Sequence, residues 1–214
     1  MRVLVTGVAG QLGHDVVNEL RARDHCPIGS DICQCPYLQV DTAPQFVQMD
    51  ITQRSDVIRC IESLKPDAII HCAAWTAVDA AEDEENRAKV DAINHLGTQY
   101  IAEAAKAVDA KMLYISTDYV FDGKGDRPWE PDDKCYAPLN VYGQSKLDGE
   151  LAVSSLLEKY FIVRIAWVFG LNGKNFIKTM INVGKNHDTV RVVNDQIGTP
   201  TYTKDLAGLL VEMV

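Results

Sequence analysis

Positive charge is scarce in this chain. Lys and Arg number 21 against 30 Asp and Glu, a net charge of −9. That balance excludes a general nucleic-acid binder, because nothing offsets the repulsion of phosphates. Long apolar runs are also lacking. None approaches the roughly 18–20 residues of a membrane-crossing helix, and no signal peptide precedes the first strand. No membrane partner is therefore expected. The six cysteines form no framework. Cys33 and Cys35 are close, but a single intervening Gln is not the spacing of a zinc half-site. Cys26, Cys60, Cys72 and Cys135 are scattered and read as cytosolic thiols. The five histidines show no metal spacing either, so no metal is expected. Internal repeats and low-complexity tracts are missing. A cytoplasmic globular protein is the expectation.

What is present is alternation. With 214 residues and 47% hydrophobic content, the chain can bury one core, with room for a small appendage. Short apolar runs at 2–6, 25–31, 45–48, 68–72, 111–116 and 160–166 read as strands. Helical periodicity separates them at 10–23, 54–64, 84–108 and 141–157, and a Gly-, Pro- and Asp-rich loop fills 122–138. Continuous apolar strands joined by helices predict an α/β, doubly wound parallel sheet of the Rossmann type. Ligands of such sheets bind at the C-terminal strand ends. The pattern loosens after residue 165. A helix over 175–185, a strand over 189–193, a loop over 194–200 and a helix over 202–214 are expected there. The division is thus a dinucleotide-binding domain over 1–165 and part of a substrate-binding region over 166–214.

The first strand–helix turn reads GVAGQLG, residues 7–13. A glycine turn between a strand and a helix is the context of a dinucleotide fingerprint, with Gly7, Gly10, Gln11, Leu12 and Gly13 facing the cofactor. The spacing is GxxGxxG rather than GxGxxG, so a ligand-free tight turn is the alternative. Asp31 ends the second strand, eighteen residues past Gly13. There a carboxylate can accept from an adenosine ribose and repel a 2′-phosphate, or it can simply cap the turn. Asp50 and Ile51 follow the third strand, where an adenine edge could be held. Ala73, Ala74 and Thr76 follow the fourth, their small size letting backbone approach a dinucleotide. Tyr142 and Lys146 stand four apart on a predicted helix, one turn apart on one face.

The stretches AAWTAVDAAE (73–82), STDYVFDG (116–123), PLNVYGQSK (138–146), RIAWVFG (164–170) and NDQIGTPT (194–201), together with GVAGQLG, cover nearly the whole chain. In them the sequence resembles the extended short-chain dehydrogenases/reductases and, among these, the dTDP-4-dehydrorhamnose reductase (RmlD-type) family. The resemblance implies reduction of a sugar-nucleotide C4 ketone by NADPH or NADH. Tyr142 would donate the proton. Lys146 would hold the nicotinamide ribose and, as a cation, lower the phenol from its ordinary ~10. Thr117 would hydrogen-bond the carbonyl or the phenol, with Ser116 a less direct neighbour. Asp118, Tyr119 and Trp167 would line the sugar pocket, Trp167 having core packing as its alternative. Asn94 would shape the site, unless it merely decorates an exposed helix face. Asp15 occupies a position where some members hold a metal, but a full ligand set is not identifiable. Family members continue well beyond residue 214, which makes the substrate-binding region incomplete on this reading. A homodimer is compatible with the resemblance. Alternatives within the same scaffold are an epimerase or other sugar-nucleotide enzyme and a non-catalytic regulator of the methionine adenosyltransferase beta-subunit kind.

Overall fold

The computed structural model describes residues 1–33 and 45–214. Cys35, one of the close cysteine pair, lies outside the described residues. Among those described, six strands form one parallel sheet in the order β3-β2-β1-β4-β5-β6: β1 (Arg2–Thr6), β2 (Cys26–Asp31), β3 (Gln45–Gln48), β4 (Ala68–His71), β5 (Lys111–Thr117) and β6 (Tyr160–Ile165). The doubly wound sheet expected from the alternation is therefore present. The order reverses between β1 and β4, whose registers pair Thr6 with His71. That reversal opens a crevice at the C-terminal strand ends.

The helices cover both faces because their apolar residues recur at helical period. Helix α1 (Gln11–Ala22) buries Leu12, Val16, Val17 and Leu20. They meet Val3, Val5 and Ile70 of the sheet and Leu206, Ala207 and Leu210 of α7 (Thr203–Met213) in one core. The opposite core joins α2 (Arg54–Leu64), α4 (Gly97–Ala107) and α5 (Val141–Leu156) to Leu4, Ile69, Met112 and Tyr114. Helix α2 stops where Lys65 takes a left-handed conformation, φ 45°, and its amide donates to Ile61 O; Pro66 follows, which cannot continue a helix.

Three features depart from the expected elements. The predicted helix over 84–108 is interrupted: α3 (Glu84–Asp91) passes into a π-helical turn, Ala92–Leu96, before α4. Such turns commonly sit at functional positions, and this one carries Asn94. The predicted strand over 189–193 does not form; those residues are exposed and irregular. Its β-branched content favours extension, but a strand needs a hydrogen-bonding neighbour, and the described residues provide none there. Instead β7 (Val168–Phe169) and β8 (Thr201–Tyr202) pair in a two-residue ladder too short to announce itself in sequence. The expected division after residue 165 falls at the end of β6. Beyond it α7 returns to the first core, whereas α6 (Phe176–Gly184) has no buried residue.

One buried ion pair fastens α5 to the sheet. Arg164 of β6 donates to both Glu150 oxygens, at 2.9 and 2.7 Å, and to the Tyr136 hydroxyl at 2.9 Å. Its guanidinium also lies over the rings of Phe121 and Tyr136, at 5.1 and 5.2 Å. Glu150 is 3% exposed. Removing one member strands the other's charge in a dry site, which costs about 3–5 kcal/mol. Glu150→Ala should therefore lower the urea-unfolding free energy by that order, and the double replacement Glu150→Leu/Arg164→Met should recover most of it. A single variant as stable as the parent would show the pair to be idle.

Candidate active site

The glycine turn is built by steric exclusion. Gly7 follows β1 with φ 71°, and a Cβ there would sit 2.7 Å from the Ala73 amide nitrogen. A Cβ on Gly13 would collide with the Gly7 carbonyl oxygen. Two backbones, one from each side of the strand-order reversal, therefore pack with no side chain between them. The start of α1 has no side-chain cap, so its first amides remain available to an anionic group.

Next to this turn lies a cavity of about 460 Å³. It brings together Gly7, Gly10, Gln11, Leu12 and Gly13 with Ala74 and Thr76. Thr117, Asp118, Tyr119, Tyr142, Lys146 and Trp167 line it as well. Six anticipated residues, Asn94 among them, stand outside that lining. Ala73 is the backbone partner of Gly7. Asp31 accepts from the Ala9 amide at 2.9 Å and the Cys33 amide at 3.4 Å, so it fastens the glycine turn to the end of β2. Asp50 accepts from both the amide and the hydroxyl of Thr52, at 2.9 and 2.7 Å. Ile51 packs with the second core. Asp15 of α1 accepts from Thr203 and joins α1 to α7.

The side chains expected to react sit on α5 and at the end of β5. Asn140 caps α5 by accepting from the Gly143 amide at 2.7 Å, which fixes the turn that carries Tyr142. Burial pushes the Tyr142 phenol up to about 12, opposed by the Thr117 hydroxyl. In the protein alone desolvation prevails, and Lys146 is not among the groups that move the phenol; the expected lowering is by Lys146 together with the oxidised nicotinamide. Lys146 itself is 2% exposed, and burial draws its ammonium down to about 7, with Glu150 and Cys72 pulling the other way. Its Nζ donates to the Ile115 carbonyl at 2.7 Å. The Thr117 hydroxyl donates to Asp118 at 3.1 Å and accepts from the Tyr119 amide at 3.3 Å. Burial raises the Asp118 carboxyl. Tyr119 meets Tyr142 edge-on, with ring centroids 5.9 Å apart. Trp167 holds a left-handed backbone, φ 47°, at the cavity edge and is about half exposed.

Asn94 shapes the site from behind. Its Oδ1 accepts from the Trp75 amide at 2.8 Å, and its Nδ2 donates to Trp75 O at 3.1 Å and to Ser145 Oγ at 3.0 Å. It is buried, so the exposed-face alternative is excluded. Sequence reading missed His71, which is held neutral: burial lowers it to about 3. Ala73 N–H donates to Thr6 Oγ1; because the Thr98 hydroxyl is spent on Asn94 O, the neutral His71 carries its hydrogen on Nε2 and accepts at Nδ1 from the Thr6 hydroxyl at 2.7 Å. His71 Nε2 then reaches Thr98 Oγ1 at 3.2 Å, and Thr98 donates to Asn94 O at 2.7 Å. The hydrogen bonds run one way from the glycine-turn partner to the π-helical turn. The adjacent strand registers of Thr6 and His71 were the available signal. Ser116 Oγ is buried at the cavity with no protein partner. Elsewhere, Asp91, His95 and Asp148 place ligand-type atoms within 4.8 Å of one another. They lie outside the cavity, and an Asp91–His95 contact of 2.9 Å accounts for the pair.

The family model described as RmlD substrate binding domain matches residues 1–214. The chain is 41% identical to a dTDP-4-dehydrorhamnose reductase of Aggregatibacter actinomycetemcomitans, across 99% of this chain and 67% of that protein. It is 39% identical to one of Mycolicibacterium smegmatis, across 100% of this chain and 60% of the relative. A crystal structure of a dTDP-4-dehydrorhamnose reductase of Bacillus anthracis in complex with NADP superposes with TM-score 0.87 at 40% identity, covering 99% of this chain and 69% of that one. The chain thus spans about two thirds of the length of such relatives or slightly less. Among the described residues no helix is long and apolar enough to cross a membrane.

The turn geometry ranks two substitutions. Gly13→Ala must displace the Gly7 carbonyl, an overpacking cost of about 1–3 kcal/mol. At Gly10 the nearest atom is 3.2 Å away, so Gly10→Ala should cost less. Urea unfolding of both variants checks the order, and equal midpoints would refute it.

Proposed function

The chain belongs to the RmlD substrate binding domain family, and from that premise we propose that it reduces the C4 ketone of dTDP-4-dehydro-6-deoxy-L-mannose to give dTDP-L-rhamnose. NADPH or NADH is the cofactor on this reading. The observation that carries it is the convergence of Thr117, Tyr142 and Lys146 on the cavity that the glycine turn also lines. The fit to a dinucleotide rests on the same turn. Its backbone cradle is one a Cβ would fill, and the uncapped start of α1 suits a pyrophosphate. Gly7, Gly10, Gln11, Leu12 and Gly13 would hold that end, with Ala74 and Thr76 alongside. A bound reduced dinucleotide supplies the hydride.

The chain's own residues handle the proton. Tyr142, kept protonated by burial, gives its phenolic hydrogen to the ketone oxygen as the carbonyl carbon gains hydride. The Thr117 hydroxyl turns from Asp118 to position that oxygen. The Lys146 ammonium donates to a ribose hydroxyl and, together with the positive charge of the oxidised nicotinamide, would favour the phenolate left on Tyr142. Asp118, Tyr119 and Trp167 flank the sugar. Asp31 serves the adenosine end by anchoring the Ala9 amide and, with its acidic charge, disfavours a 2′-phosphate; this makes NADH an effective donor. Asp50 and Ile51 stand at the adenine side. Such a soluble-sugar reaction needs no nucleic-acid or membrane partner, and a cytoplasmic setting supplies both cosubstrates. A homodimer is compatible with this arrangement.

Tyr142→Phe should retain dinucleotide binding, measured by fluorescence titration, and lose turnover of the sugar ketone by about 100- to 10,000-fold. Near-parental turnover would sink the proton-donor assignment. The pH dependence follows from Lys146. Its ammonium is present below a value of about 7 and is lost as pH rises through it. Initial rates should therefore show kcat/KM for the dinucleotide falling above about pH 7, a limb that Lys146→Met abolishes. A limb that survives the substitution belongs to another group.

A further inference from the structure

Lys146 is a cation in a nearly dry site, and its bond to Ile115 O satisfies one of three ammonium hydrogens. Tyr114 lies immediately beside it. Lys146 Nζ stands 4.2 Å from the centroid of the Tyr114 ring, well inside the range at which a ring quadrupole attracts a cation. The ring is fully buried and its phenol is held protonated, raised by desolvation. Its hydroxyl is pinned at the other end, donating to Lys146 O at 3.3 Å and lying 3.5 Å from Asn94 O. The His71 ring stacks on it with centroids 5.9 Å apart, across the register that pairs β4 with β5.

We propose that the Tyr114 ring is the seat of the active-site ammonium, a positioning residue that keeps Lys146 charged and in place through a cation–π contact. The other titratable groups around Lys146 do not substitute for it. Glu150, one turn along α5, is committed to Arg164. Cys72, after β4, is held as a thiol, pushed up to about 12 by burial. His71, on β4, is neutral, and its charged form would repel the ammonium. Tyr142, on α5, and Asp118, after β5, are drawn toward their neutral forms by burial. Glu150 favours the ammonium from one turn away, whereas the face of the ring and the Ile115 carbonyl are the negative surfaces in direct contact with it. The proposal rests on the reading of Lys146 as the ammonium that serves Tyr142, and it adds the group that makes that ammonium available.

The test uses the ligand-free chain and does not require turnover. Tyr114 is replaced by Phe, by pentafluorophenylalanine and by Leu, and folding is checked by circular dichroism. The NMR signal of the Lys146 Cε carbon, assigned by its loss in Lys146→Met, is then followed against pH. Phe keeps the ring face and should titrate close to the parent. The fluorinated ring keeps the shape but reverses the quadrupole, and should lower the Lys146 midpoint by roughly one pH unit or more. Leu should lower it similarly. Identical midpoints for Phe and the fluorinated ring would overturn the proposal and leave Tyr114 as core packing. Because the fluorinated ring matches Phe in outline, that comparison stands even where Leu fails to fold. If the parent chain turns over no sugar ketone while the midpoint still follows the ring, the seat stands and the reductase reading falls.

Discussion

The contact between the backbones of Gly7 and Ala73 is the constraint on which the site depends. It lies where the strand order reverses, and it leaves no room for a side chain on either side of the turn. Because the two backbones touch, Thr6 can accept from the Ala73 amide, and the chain through His71 and Thr98 can reach Asn94. Asn94 in turn holds the Trp75 backbone and Ser145, the residue next to Lys146. A position fixed at the glycine turn is thereby transmitted across β4 to α5 through groups that are buried and have defined donors and acceptors. Such a network is stiff because each broken member leaves an unpaired polar atom in a dry interior.

The same burial sets the electrostatics, and it works against two of the groups it positions. A phenol and an ammonium in one dry cavity each favour the uncharged form. Tyr142 moves up and Lys146 moves down. For a proton donor the first shift is useful, since the phenol stays protonated through the neutral range. The second is a cost, since a neutral lysine stabilises no phenolate. The Arg164–Glu150 pair answers part of that cost. By placing a carboxylate one helical turn beyond Lys146 it favours the ammonium, and Arg164 holds both carboxylate oxygens in place. The pair therefore holds α5 on the sheet and tunes the residue that α5 presents.

Much of this was readable from the chain, for identifiable reasons. Short continuous apolar runs and period-3.6 apolar patterns located the main sheet and its helices, because burial of both sheet faces and of one helix face imposes those patterns. The convergence of the glycine turn, Thr117 and the Tyr142–Lys146 helix followed from the rule that parallel strands end on one side. What escaped were features set by tertiary contact. The π-helical turn at 92–96 looks like continuous helix in sequence, since nothing in AINHL marks it until Asn94 is seen bonding across to Trp75. The segment 189–193 has strand composition and no strand, because composition does not supply a neighbour. His71 and Tyr114 read as apolar strand fillers. The parallel register of β4 and β5 is what sets them side by side. The direction of the Tyr142 shift was likewise invisible, because it depends on how dry the cavity is rather than on which cation stands nearby.

The two sides of the cavity differ in how firmly they are built. The wall formed by the glycine turn, β5 and α5 packs on the two cores, and its Thr117 and Lys146 side chains are buried and hydrogen-bonded. The opposite edge is carried by Trp167, in a conformation costly for a residue with a side chain, with its indole against Gly198. Gly198 lies in an exposed, irregular run, and α6 nearby buries nothing. Few buried contacts mean a low free energy of local opening. On the proposed function, a hydride and a proton would arrive at one carbon–oxygen bond within tenths of an ångström, which asks for the rigid wall. A sugar nucleotide would on the same reading enter and leave past the weakly held edge. The protein thus places its chemistry on the sheet and leaves access to the segment that the sheet does not hold.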